Sequence, residues 1–293
     1  MYRDKIGKSA VSMRDLHSKA VLVTGAASGI GKATAVAFAR EAANPLIICD
    51  IDGEGLQSTA LDIQAMGCEV TSYTVDVSEF NAIKEMVDQV LERVGRIDIL
   101  VNVAGWGLLA PLEKLDIADW RGVLEVNLLG CIHTVHSIYP HMVKRGSGHI
   151  VNISSVAGLW ADVPFMAPYI TSKFAVTGFS EALLLEASVH GIGVSCICPG
   201  MVNTPAYDAG PVKGFRPEAK EMGKALFRIA EEPEDTANSI VDAVKRNKFL
   251  VVTTPFMKVN FFIRRHFKFI WYPSQKLWAR WCSRTLEKYR VED

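Results

Sequence analysis

A parallel β-sheet wound on both faces by helices is the fold class this chain predicts, and three observations predict it. Short β-branched runs alternate with longer amphipathic stretches along the 293 residues. A glycine-rich turn joins the first run to the first amphipathic stretch, and no Pro/Ser-rich linker divides the series. Strands are predicted at Ala20–Thr24, Pro45–Asp50, Glu69–Val75, Ile97–Val103, His149–Ile153, Gly193–Cys198 and Phe249–Thr253, each a short apolar run. Apolar residues at helical spacing predict helices over Ile30–Ala42, Ala82–Val94, Trp120–Lys144 and Tyr169–Ser188. Right-handed crossovers then give one doubly wound, seven-stranded parallel sheet, a single α/β domain over residues 19–254, with ligands expected at the carboxyl ends of the strands. Residues 1–18 read as an N-terminal arm and residues 255–293 as a helical C-terminal extension.

Composition narrows the function. A chain 49% hydrophobic and 22% charged is a globular protein rather than a disordered one. Its 32 basic and 32 acidic residues cancel, which argues against a nucleic-acid partner. That zero is an average over unequal parts. From Phe256 to Asp293 nine Lys and Arg stand against three acids, net +6, and the same stretch holds ten of the 26 aromatic residues. At the N-terminus Arg3, Asp4, Lys5 and Lys8 interrupt any signal-peptide core, and no run of about 18 apolar residues occurs, so a chain that is neither secreted nor membrane-spanning is expected. Six cysteines without a C-x-x-C pair fit a reducing cytoplasm. His133-x-x-His136 is the nearest approach to a metal pair and has no third ligand, so no metal is expected.

The glycine-rich turn carries the first chemistry. Thr24-Gly25-Ala26-Ala27-Ser28-Gly29-Ile30-Gly31 follows the first strand and opens a helix. Gly25, Ser28, Gly29, Ile30 and Gly31 thus place backbone N–H groups and the positive end of a helix where a pyrophosphate would bind, in the manner of a Rossmann-type fold. Asp50 ends the second strand nineteen residues after Gly31, where a carboxylate accepts hydrogen bonds from an adenosine ribose. A 2′-phosphate there would meet like charge, and neither Ser28 nor Ile51 offers a cation, so NAD(H) is expected over NADP(H). Lys32, on the second residue of the helix, is expected to face solvent.

These residues resemble the short-chain dehydrogenases/reductases over Lys19 to Thr253. The resemblance rests on the turn at 24–31, Asp76-Val77, Asn102-Val103-Ala104-Gly105, Asn127, Ser154-Ser155-Val156-Ala157-Gly158, Tyr169-x-x-x-Lys173 and Pro199-Gly200-Met201-Val202-Asn203-Thr204, in that order. The family pattern usually has a second Asn where Val103 stands. The resemblance implies that Asp76 and Val77 contact adenine, that Asn102, Ala104 and Gly105 line the cofactor, and that Pro199, Gly200, Val202 and Thr204 hold its carboxamide end. It also implies a homodimer or homotetramer assembled through the helices holding Asn127 and Tyr169.

Tyr169 and Lys173 lie four apart on a predicted helix and share a face. A phenol with a pKa near ~10 is a poor base, but an adjacent ammonium and a cationic nicotinamide both favour its phenolate. Tyr169 is therefore the expected acid/base, and Lys173 the residue that lowers its pKa and holds the nicotinamide ribose. Ser155 is expected to orient the substrate oxygen, with Ser154 competing for that role. The resemblance adds Asn127 as holder of a water that relays protons from Lys173. No Gly-x-Ser-x-Gly elbow supports a hydrolase instead.

Substrate choice is expected from the loops above the sheet. Trp106, Leu108, Leu109, Leu159, Trp160, Val163, Phe165, Met166 and Met201 suit a hydrophobic secondary alcohol or ketone. A 3-hydroxyacyl-thioester substrate, or a cofactor-binding sensor without turnover, are the alternatives. The segment from Asn203 to about Ile229 corresponds to the family's substrate lid. In the tail, Phe256, Val259, Ile263, Phe267 and Ile270 form one stripe, Pro273 interrupts, and Leu277, Trp278, Trp281, Thr285 and Tyr289 form another. The two basic amphipathic helices predicted there have three possible uses: peripheral contact with an anionic membrane, packing on this subunit or a partner, or walling the substrate entrance.

Overall fold

The computed structural model describes residues 13–161, 163–205, 210–220 and 230–291. The first twelve residues of the expected N-terminal arm, and residues 206–209 and 221–229 of the expected lid, lie outside the described residues.

Seven parallel strands form one sheet in the order β3-β2-β1-β4-β5-β6-β7. They are β1 (Val21–Thr24), β2 (Leu46–Asp50), β3 (Val70–Thr74), β4 (Ile99–Asn102), β5 (Gly148–Ile153), β6 (Ile192–Cys198) and β7 (Leu250–Val252). Each lies within about a residue or two of its predicted run. Strand alternation splits the apolar side chains between two cores. Val21, Val23, Leu46, Ile48, Ile99 and Val101 pack with α1 (Gly29–Arg40), α2 (Gly53–Gln64) and α7 (Pro233–Arg246) on one face. Leu22, Ile47, Leu100 and Ile150 pack with α3 (Phe80–Val94), α5 (Gly130–Arg145) and α6 (Ala167–Ser188) on the other. Strand order reverses between β1 and β4, which opens a crevice at their carboxyl ends.

The helix predicted over Trp120–Lys144 is three pieces. It begins early, as α4 (Ile117–Leu124), because Asp116 and Asp119 form a reciprocal capping box. A single π turn over Glu125–Leu129 then holds Asn127 before α5 continues. α6 starts at Ala167 with Pro168 in its first turn, where the fixed φ of proline favours the helix. β7 is followed directly by α8 (Pro255–His266) and α9 (Lys268–Glu287). The break between them falls at Phe267, not at Pro273, which lies within α9. Placing the break there seats Trp271 edge-on against Trp160, 5.8 Å between centroids.

Candidate active site

The turn after β1 is fixed from both sides. Thr24 Oγ1 accepts the N–H groups of Val103 (3.0 Å) and Ala104 (3.2 Å), tying the end of β1 to the end of β4. At Gly31 an added Cβ would lie 1.8 Å from the Gly25 carbonyl oxygen, so only glycine lets α1 rise this close to its own turn. Asp50 Oδ2 accepts the Ala27 N–H at 3.0 Å, while its Oδ1 accepts from Asp52 N–H at 3.1 Å. The carboxylate thus sits directly over the turn. Ser28 is the exposed N-cap of α1, Ile30 reaches the crevice, and no acidic residue occupies the helix's first turn. This cradle and its carboxylate fit the pyrophosphate and adenosine ribose of a dinucleotide. Lys32 pairs with Asp62 at 2.8 Å and Ser58 at 3.2 Å, so its charge is engaged on α2.

Other expected cofactor residues divide by what their side chains do. Asp76 Oδ1 accepts from the Ser78 N–H (2.9 Å) and hydroxyl (2.7 Å), and Val77 is buried against Gly130. The Asn102 side chain turns inward: its amide donates to Asn152 at 3.0 Å and its oxygen accepts from Thr134 at 2.6 Å. Gly105, Pro199, Gly200, Val202 and Thr204 line the crevice itself.

Tyr169 and Lys173 enter that crevice from α6, with Lys173 Nζ 5.6 Å from the Tyr169 ring centre. Lys173 is buried, and its Nζ donates to the Ile153 carbonyl at 2.9 Å. Burial lowers its pKa to about 8, because a charged ammonium loses hydration there. Ser155 Oγ accepts the Ala157 N–H at 3.1 Å and caps a single 3-10 turn. Ser154 is differently placed: its Oγ donates to the Lys173 carbonyl at 2.9 Å and shares a hydrogen bond with Thr177 at 2.8 Å. The Asn127 side chain is also engaged, donating to the Trp106 carbonyl (2.9 Å) and Ser172 (3.0 Å) and accepting the Trp106 N–H (2.9 Å). A Cβ at Gly105 would meet Asn127 Oδ1 at 3.0 Å and Lys173 Nζ at 3.5 Å. Glycine therefore keeps the space between those two groups clear.

These residues bound a cavity of about 280 Å³. Trp106, Leu109, Val163, Met166 and Met201 line it, as the loop composition predicts. Leu108, Leu159, Trp160 and Phe165 do not. Leu108 packs on Ala110 and Val123, while Leu159 and Trp160 join Trp271 in a core beneath the tail. Phe165 stacks edge-on with Phe215 at 5.3 Å. The roof comes from the tail, as one of its three expected uses requires: Trp278, Cys282 and Leu286 of α9 face the cavity, and of these the predicted stripe named only Trp278. Their spacing of four was the available signal, since it marks one helix face.

The tail is stitched to the body. Arg264 donates to the Leu159 carbonyl. Ile263 packs inward, whereas Phe256, Val259, Phe267 and Ile270 of the same predicted stripe are exposed. At the far end the Arg216 N–H donates to the Tyr289 carbonyl at 2.7 Å and the Val291 N–H to Gly214 at 3.2 Å. Residues 210–220 are thereby clamped between α9 and the α4 cap, where Lys213 pairs with Asp116 (2.8 Å) and Asp119 (2.6 Å). His133 and His136 pack on Phe80, His133 Nδ1 lying 3.0 Å from the Val77 carbonyl. Among the described residues no three His, Cys, Asp or Glu side chains group as a metal set, and no helix is long and apolar enough to cross a membrane.

Comparison with known proteins agrees with this arrangement. The "short chain dehydrogenase" family model matches residues 19–210. The chain is 37% identical over 228 residues to (2S)-[(R)-hydroxy(phenyl)methyl]succinyl-CoA dehydrogenase subunit BbsD of Thauera aromatica, covering 77% of this chain and 89% of that one. It is 34% identical over 257 residues to 17-beta-hydroxysteroid dehydrogenase 13 of Rattus norvegicus, covering 87% and 81%. The fold superposes on a crystal structure of a short-chain dehydrogenase/reductase from Burkholderia phymatum in complex with NAD, with a TM-score of 0.79, 29% identity, and 86% and 94% of the two chains covered. With the glycine cradle, the Tyr169–Lys173 pair and the matched sheet on one framework, this chain is an oxidoreductase belonging to the short-chain dehydrogenase/reductase family.

Proposed function

We propose that this enzyme interconverts an apolar secondary alcohol and its ketone with NAD(H). One observation carries the reading: Tyr169, Lys173 and Ser155 face a cavity whose remaining walls include Trp106, Leu109, Met166, Met201 and Trp278. A bound nicotinamide supplies the two-electron hydride acceptor or donor. Tyr169 takes the alcohol's hydroxyl proton in one direction and returns it in the other. The Lys173 ammonium, held by the Ile153 carbonyl, favours the tyrosine's phenolate. Ser155 holds the substrate oxygen through the hydrogen of its own hydroxyl, since its lone pair takes the Ala157 N–H.

The cofactor would be held by Gly25, Ser28, Gly29, Ile30 and Gly31 at the pyrophosphate, by Asp50 at the adenosine ribose, and by Asp76, Val77, Asn102, Ala104, Gly105, Pro199, Gly200, Val202 and Thr204 along its length. Asp50 supports NAD(H) over NADP(H), because its charge opposes a 2′-phosphate and Lys32 at the start of α1 is paired with Asp62. Asn127 acts as a positioning residue for the Trp106 loop, and a proton leaving Lys173 would pass through the space that Gly105 keeps clear. The similarity to a rat protein named for a hydroxysteroid supports an apolar alcohol. Exposed Leu129, Phe174 and Leu185, on the π turn and α6, support a homo-oligomer built on that face.

The test is Tyr169→Phe, with NADH binding followed by fluorescence titration and turnover by a ketone screen. Binding is expected to persist while turnover falls at least about a hundredfold. Retained turnover overturns the assignment, and preference for 3-oxoacyl thioesters over apolar ketones replaces the substrate class.

A further inference from the structure

The tail presents a second face that catalysis does not use. Of the twenty large hydrophobic side chains exposed among the described residues, ten lie between Phe256 and Val291. They include Phe256, Val259, Phe262 and, on α9, Leu277 and Trp281 at 64% and 45% exposure. Single exposed apolar residues are ordinary, but a cluster of this density marks an interaction surface. Cations are interleaved with it. Lys258, Arg265, Lys276, Arg280 and Arg284 are all outside the core, and none has an acidic partner among the described residues.

Charge selects the occupant. A second copy of this chain would set like charge against like across an isologous interface, because the same surface meets itself. An interleaved aromatic and basic face is complementary to a lipid surface bearing anionic headgroups, with aromatic rings at headgroup depth and cations beside the phosphates. We infer that α8 and α9 seat the enzyme peripherally on an anionic lipid surface. The opposite side of α9 roofs the cavity through Trp278, Cys282 and Leu286. Trp278 stacks on outward Trp281, 5.2 Å between ring centres, so the two faces are in contact. An apolar substrate would cross about one helix diameter, ~10 Å, between lipid and cavity. Docking stands on the surface alone; delivery of substrate through it rests on the apolar-substrate reading.

The experiment is co-sedimentation of the full chain with phosphatidylcholine vesicles, with and without phosphatidylserine. The chain is expected to pellet with the anionic vesicles only, and to be released by high salt. Each cation near the surface contributes about fivefold, so Lys276→Glu with Arg280→Glu should weaken binding more than about tenfold. Leu277→Asn should weaken it by several-fold and leave turnover of a water-soluble ketone unchanged. No pelleting with anionic vesicles overturns the inference. So does equal pelleting with neutral ones, or an oligomer or protein complex that the charge reversal dissociates. Sedimentation does not depend on turnover, so failure of the proposed reaction and failure of docking are read separately.

Discussion

Replacing Ser155 by alanine removes a hydroxyl that does two things at once. Its oxygen accepts the Ala157 N–H at 3.1 Å, and the residue lines the cavity, leaving the hydroxyl proton for a substrate. Loss of the cap costs about 1 kcal/mol, which lowers the melting temperature by roughly 2–4 °C in a domain of this size. Loss of the donor at the substrate oxygen costs about a hundredfold or more in kcat. Ser154→Ala reverses that pattern. Its oxygen is buried and tied to the Lys173 carbonyl and Thr177, so the cost falls on stability, about 1–2 kcal/mol. Released from Ser154, the Thr177 hydroxyl donates to the Lys173 carbonyl 3.0 Å away, so that carbonyl keeps a donor and kcat should change only a few-fold. Thermal melts, NADH titration and initial rates on the purified variants measure all three quantities. If Ser154→Ala loses activity a hundredfold while Ser155→Ala retains it, the roles of the two hydroxyls are reversed.

Converting Asp50 to alanine removes the carboxylate that a 2′-phosphate would face, and should raise the NADPH-to-NADH ratio of kcat/KM about tenfold; a wild-type enzyme already faster with NADPH overturns the charge argument. His149 is buried beside Ser195, and burial holds its pKa down at about 4. Between pH 6.5 and about 4 the unfolded chain therefore binds a proton that the folded one does not, so stability falls with acidification and is fully present above pH 6.5. By about pH 5 this group should cost roughly 2 kcal/mol, visible in urea unfolding as a pH dependence that His149→Gln lacks. An unchanged dependence in that variant would place the acid sensitivity elsewhere.

What could be read from the sequence was local. Strands such as Leu46–Asp50 announce themselves because both faces are buried and the run is apolar throughout. The glycine turn and Asp50 are recoverable because backbone approach and charge demand particular residue types at fixed spacing. The π turn at Asn127 left no comparable mark, since Glu125–Leu129 has ordinary helix formers and the widening depends on the bonds Asn127 makes to Trp106 and Ser172. The bond that holds Ser154 inward comes from Thr177, a residue more than twenty positions away that composition does not connect to it. Likewise Leu159 and Trp160 look like substrate-loop residues until Trp271 and Phe261 arrive from a segment a hundred residues later.

The same long-range contacts change how the tail must be tested. Its charge and aromatics looked like one property of one appendix, but α9 divides them: Trp278, Cys282 and Leu286 face the cavity, while Leu277, Trp281, Arg280 and Arg284 face away. Deleting residues 256–293 would strip both faces together. It would also uncover Val156, Trp160 and Cys198, which pack beneath α8 and α9, at about 1.5–3 kcal/mol for each large buried side chain. A truncated protein that failed to turn over substrate or to bind lipid would then be explained equally well by a lost roof, a lost docking face or a collapsed core. Substitutions confined to one face separate these causes. Lys276 and Arg280 can change sign without touching the cavity, and Cys282 can change size without altering the outer surface.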